Sequence, residues 1–174
     1  LPFIWLGRQL KARGHRVTMV TACLFEKAAR AAGLAFIPLG KPEDFERMIA
    51  DPRVWRLGSG TKLVFEFAGH AAGAYLAEIE RLAQAGDRPG LLLAPCTAFG
   101  ARAAREALGI PLVTVHLQPA VFLSAHEPPV ILPGMEHLRR LPLWMRRLLL
   151  RAPNPADLFA GPLVRALCAR RGVP

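Results

Sequence analysis

His116, Gln118, Ser124 and His126 fall close together in the run LVTVHLQPAVFLSAHEPPV, and their side chains could line a small-molecule pocket. His116 and Gln118 stand at the end of a predicted strand, where loops converge on a crevice in α/β folds. Ser124, His126 and Glu127 follow in an irregular, proline-rich loop, the kind of segment that carries binding residues. Phe99 and Phe122 would supply apolar walls to such a pocket. Each has an ordinary alternative. His116 could be a packed imidazole bonded to a neighbouring carbonyl, Gln118 could shape the turn before Pro119, the loop polar groups could be structural, and the phenylalanines could be core. Cys96, after a strand and near a helix N-terminus, would have its thiol activated there, but no partner base is identifiable. His15 lies at the wrong end of the sheet, and His70 lies within a long helix, where it could face a bound molecule or serve helix packing.

Composition narrows the classes. The chain has 174 residues, 52% of them hydrophobic, and a formal charge of +10. That length fits one domain with a real core. No charge-free apolar run reaches the roughly 18–20 residues of a membrane span, and no basic-then-apolar leader opens the sequence. Cys23, Cys96 and Cys168 are far apart, without the paired spacing of a zinc site or a disulfide framework. No metal or cofactor is expected, and a reducing cytoplasm is the expected compartment. Arginine far outnumbers lysine while aromatics are only 7%, so the basicity reads as compositional bias, and nucleic acid is not an expected partner.

The elements alternate. Pro2 suits a first helical turn, and Phe3, Leu6, Gly7 and Leu10 recur on one helical face, with Arg8, Lys11 and Arg13 turned to water. Gly14 is placed to end that helix in a left-handed cap. Arg16 to Thr21 reads as a strand, Leu24 to Ala32 as a helix stopped by Gly33, and Leu34 to Leu39 as the next strand. Helices alternating with strands this tightly imply crossovers and a parallel sheet with helices on both faces. Such a domain should begin with a strand. None precedes Leu1, so the first strand and its loop are expected to be missing.

Further on, Gly40 to Gly60 reads as a long excursion with one short helix at Glu43–Ala50. Thr61 to Ala85 is a long helix with Leu63, Phe67, Ala71, Ala74, Leu76, Ile79 and Leu82 on its apolar side. Gly69 and Gly73 within it could allow close packing. Leu91 to Ala94 reads as a strand buried on both faces, Ala98 to Leu108 as a helix closed by Gly109, and Leu112 to Leu117 as the last strand. Pro119 to Pro133 is irregular. Leu141 to Leu150 reads as an amphipathic helix, and Pro155 to Arg171 as a final one bent or started by Pro162.

The run PFIWLGRQLKARGHRVTMVTACLFEKAARAAGLAFIPLG resembles the acceptor domain of bacterial GT-B glycosyltransferases, of the UDP-glycosyltransferase type with a family 28 N-terminal domain. Asp51-Pro52 with GTKLVFEF, the segment ALGIPLVTVHLQPAVFLSAHEPPV and the stretch GPLVRALCARRGVP extend the resemblance over nearly the whole chain. It implies a Rossmann-like sheet in the order 3-2-1-4-5, with residues 1–174 a single incomplete acceptor-binding domain and the nucleotide-sugar domain absent. It implies an inverting transfer of a hexose from a nucleoside-diphosphate sugar to a hydroxyl of a lipophilic small molecule or lipid. Pro2 and Phe99, His116, Gln118, Phe122, Ser124 and His126 would then be acceptor-binding.

In the resembled family, the first strand ends in a loop of the form G-D-x-x-P, or G-H-x-x-P, whose acidic residue or histidine deprotonates the acceptor. A positioned base of this kind contributes about 10²–10⁴-fold. Pro2 matches the final proline, so the base is expected two residues before Leu1, and the fragment alone is expected to be inactive. The place of the aspartate that orients a histidine base, near Pro95-Cys96-Thr97, holds no carboxylate, which favours an unaided aspartate. A non-catalytic lipid- or pigment-binding module is the alternative. A peripheral membrane protein is another, since Arg139, Arg140, Arg146, Arg147 and Arg151 surround Leu141, Trp144, Met145, Leu148 and Leu149 in a pattern that suits an anionic interface. The competing reading is a surface helix packed on its own domain.

Overall fold

The computed structural model describes residues 2–56, 59–118, 122, 124–128, 130, 135–152 and 156–172. Helix α1 (Pro2–Ala12) leads to strand β1 (Thr18–Ala22), a 3₁₀ turn at Cys23–Phe25, α2 (Glu26–Ala31) and β2 (Ala35–Leu39). Next come α3 (Pro42–Ala50), a 3₁₀ turn at Pro52–Trp55 and α4 (Ser59–Gln84). Then follow β3 (Leu92–Ala94), α5 (Phe99–Leu108) and β4 (Leu112–Thr114). A 3₁₀ segment (Met135–Arg140), α6 (Leu143–Leu149), a π-helical turn (Ala156–Ala160) and α7 (Gly161–Arg170) complete the described order. The protein is mixed α/β and mostly helical.

Strands β1 and β2 pair in parallel with Thr18 opposite Ala35, and β3 and β4 pair in parallel with Leu92 opposite Leu112. These are two separate two-stranded sheets, and β1 and β3 are not hydrogen-bonded to each other. The strands are accordingly less buried than the apolar run at Leu91–Ala94 predicts. In β3 only Ala94 is buried, and Leu91 and Val113 are exposed.

Each pair has its own core. Ile4, Ala29, Leu34 and Phe36 pack together beneath β1 and β2, with Val17 and Met19 against them. The apolar face of α1 therefore centres on Ile4 and Gly7 rather than on Phe3, Leu6 and Leu10, which are only half-buried. A Cβ at Gly7 would come within 2.8 Å of Leu34, so its lack of a side chain lets α1 lie close. Lys11, expected in water, donates to the Gly33 carbonyl. The second core joins Leu76 and Ile79 of α4 to Ala103, Ala104 and Ile110, with Leu167 of α7 against them. Burying such a leucine is worth about 1.5–3 kcal/mol.

Helix ends follow the sequence closely. Gly14 and Gly109 take φ of 86° and 64°, the left-handed conformation a residue with a Cβ adopts at a cost. Pro162 occupies the first turn of α7. The strands are shorter than the apolar runs suggest. β4 stops at Thr114, and the excursion after Leu39 contains a helix and a 3₁₀ turn rather than one short helix.

Candidate functional site

In parallel α/β folds, the loops beyond the carboxyl ends of the strands form the usual ligand crevice. All four strand ends here open into cavities. Ala22 and Leu39, the last residues of β1 and β2, line a cavity of about 530 Å³ whose other wall is α3 and α4. Pro95 and Cys96 after β3, with Thr114 and His116 at the end of β4, line a second of about 240 Å³. Ligand pockets run about 300–1,000 Å³. The larger cavity has the size of a small-molecule site, and the smaller falls below that range.

The larger cavity is built by α4. Leu63, Phe67, Ala71 and Ala74 recur at helical spacing along it and face the cavity. The core residues Gly69, Ala72, Leu76 and Ile79 occupy another face of the same helix. The apolar positions read from sequence as one side thus divide between a pocket wall and a core. Phe45 and Met48 of α3 supply the opposite wall. Polar groups sit at the margin. Asp44 is paired with Arg47, and Asp51 with Arg53. Asp51 also accepts from the Arg53 backbone N–H at 2.9 Å, capping the 3₁₀ turn, and the Arg53 guanidinium holds its carboxyl below the ordinary range. The Lys41 ammonium and the His70 imidazole line the cavity without an ion pair among the described residues. Tyr75 also lines it, and burial pushes its phenol pKa up, against a smaller opposing effect of Thr21 of β1.

The structure distributes the sequence-predicted residues unevenly. His116 lines the smaller cavity and meets Phe122 edge-on, with ring centroids 4.9 Å apart. Phe122 is 61% exposed and Gln118 is exposed, so both remain open to solvent at the end of β4. Ser124 organises its own loop, its hydroxyl accepting from the backbone N–H groups of His126 and Glu127 at 3.2 Å. His126 lies in that loop and is exposed. Phe99 takes its core alternative. It is 7% exposed, packed with Ala72, Ala160 and Phe65, and walls neither cavity. Pro2 is exposed in the first turn of α1 and also lines neither. Pro119 and half of the irregular segment after it lie outside the described residues.

The residues that sequence reasoning passed over are those of the larger cavity. Of these the sequence offers only His70 as a residue that could face a bound molecule, and it places Phe67 on the apolar side of the long helix without telling pocket from core. The available signal was the width of the apolar surface of α4, which exceeds what one buried face needs. Among the described residues no carboxylate lines the smaller cavity beside His116. Among the described residues no cluster of His, Cys, Asp or Glu could hold a metal ion, and no helix is long and apolar enough to cross a membrane.

Compared with known proteins, the chain matches no family model and no curated protein. What fold and site define together is an α/β chain of two parallel strand pairs with a largely apolar, ligand-sized crevice at the strands' carboxyl ends.

Proposed function

We propose that this chain is the acceptor-binding part of an inverting GT-B-type sugar transferase. It would hold a lipophilic molecule whose hydroxyl receives a hexose from a nucleoside-diphosphate sugar. The observation that carries this reading is the placement of both cavities at the carboxyl ends of parallel strands, with the larger one lined mainly by apolar side chains of α3 and α4. A second support is the arrangement of the strands. In the order 3-2-1-4-5, β2 and β1 would be the third and second strands, and β3 and β4 the fourth and fifth. The unpaired inner edges of β1 and β3 would then flank the place of the central strand.

Chemically, the crevice suits the ground-state half of the task. Leu63, Phe67 and Phe45 exclude water around an apolar body, while Lys41 and His70 at the margin offer donors to its polar end. A hydroxyl becomes an effective nucleophile only when a base takes its proton in the transition state. In this reading the residues named here bind and orient the acceptor, and a base takes the hydroxyl proton as the sugar is transferred.

The test is a transfer assay on the full-length product of the gene. It would be incubated with nucleoside-diphosphate hexoses and lipophilic alcohols or phenols, and followed by mass spectrometry and anomeric NMR. The reading expects a hexose added to the acceptor with inverted anomeric configuration. Retention of configuration, or saturable acceptor binding with hydrolysis of the sugar nucleotide and no glycoside, overturns it.

A further inference from the structure

Helix α6 presents an unusual outer surface. Trp144 and Leu148, one turn apart and therefore neighbours on the helix, are 66% and 59% exposed. Arg147 and Arg151 flank them on the same side, and both are exposed with no ion pair among the described residues. Arg140, just before the helix, is likewise exposed and unpaired. The opposite side is fastened down. The Arg146 guanidinium donates to the carbonyls of Leu141 and Ala125 at 2.9 Å and of His126 at 3.0 Å. Arg139 is engaged with Glu127 at 2.9 Å. The arginines around α6 therefore divide. Arg146 and Arg139 hold the helix to the loop after β4, and Arg140, Arg147 and Arg151 are left facing out.

We infer that this face of α6 docks on an anionic lipid bilayer. The occupant follows from the combination. A tryptophan and a leucine held out of the core by an arginine clamp would bury apolar area in the acyl boundary, and tryptophan favours the headgroup level. The guanidinium groups of Arg147 and Arg151 beside them, with no ion pair among the described residues, complement lipid phosphates, and the +10 charge of the chain adds long-range attraction. At seven residues the helix is about 10 Å long, so insertion is shallow and reversible. Because Arg146 ties the inner side of α6 to Ala125 and His126, the helix docks as a fixed part of the chain, with those two residues on its side away from the lipid. The inference does not depend on sugar transfer.

The test is co-sedimentation of the chain with vesicles of phosphatidylglycerol in phosphatidylcholine and with phosphatidylcholine alone, plus a duplex oligonucleotide as a polyanion control. The substitutions all fall on exposed positions, and circular dichroism verifies their folding. Binding to the anionic vesicles is expected. Arg147→Gln with Arg151→Gln should weaken it roughly thirty-fold, at about fivefold per arginine. Trp144→Ser with Leu148→Ser should abolish vesicle binding while leaving any oligonucleotide binding unchanged. In a chain carrying Trp5→Phe and Trp55→Phe, emission from Trp144 should shift to the blue on anionic vesicles. Equal partition to both vesicle types, vesicle binding that survives Trp144→Ser with Leu148→Ser, an unshifted Trp144 spectrum, or arginine-dependent binding to the oligonucleotide alone each overturns the inference.

Discussion

Gly100 of α5 lies directly against Tyr75 of α4. A Cβ at position 100 would overlap the Tyr75 Cβ and the Ala72 carbonyl oxygen. The absence of a side chain there sets how closely the two helices approach, and so where Tyr75 stands in the lining of the larger cavity. Gly100→Ala should destabilise by about 1–3 kcal/mol, the usual cost of overpacking. Gly73, whose added Cβ would meet nothing nearer than 3.9 Å, is the control. Gly73→Ala should stabilise by up to about 1 kcal/mol through helix propensity. Denaturant midpoints of the two variants should move in opposite directions.

The same tyrosine gives a pH signature. Burial holds the Tyr75 phenol above its ordinary value of about 10, against a smaller opposing effect of Thr21. The folded chain therefore keeps this proton more tightly than the unfolded chain. That contribution is complete below the ordinary tyrosine pKa and is lost as pH rises through the higher folded value. Tyr75→Phe should lose stability less steeply than the parent above pH 10. Paired thermal melts across that range measure the difference directly, since every other titrating group is common to both proteins.

Much of the architecture was legible because local chemistry and tertiary structure agree. Gly14 and Gly109 end helices where a left-handed residue was expected, and RVTMVT and LAFIPL hold the first two strands. The strands after Gly90 were overread. Apolar LVTVHL has the composition of a buried strand, but pairing on one side only leaves β4 with three residues and an exposed Val113. Site residues were harder to see. Phe67 and Leu76 are equally apolar, and only the position of α3 makes one a pocket wall and the other core. Phe99 looked like a wall for the converse reason, since nothing in its local sequence reveals Ala72 and Ala160 above it.

Arg146 was expected among the outward-facing arginines and proves to be a clamp on three carbonyls. Its planar fork serves acceptors in different directions, which a lysine ammonium cannot match. Arg146→Lys should lower stability by about 1–2 kcal/mol and speed protease cleavage around residues 124–127. Arg147→Lys, at an exposed unpaired position, should change neither. Limited proteolysis with mass-spectrometric mapping separates the two.

The most direct measurement is an NMR titration of the chain with a lipophilic alcohol, following assigned side-chain methyls. If the crevice at the strand ends receives the acceptor, Leu63, Ala71, Ala74 and Met48 shift together and saturably. Phe67→Ser, at a 39% exposed position, then weakens the affinity about tenfold with little loss of stability, as expected for removing one large apolar contact. Saturable shifts confined to other surfaces, or an affinity indifferent to Phe67→Ser, would contradict the account.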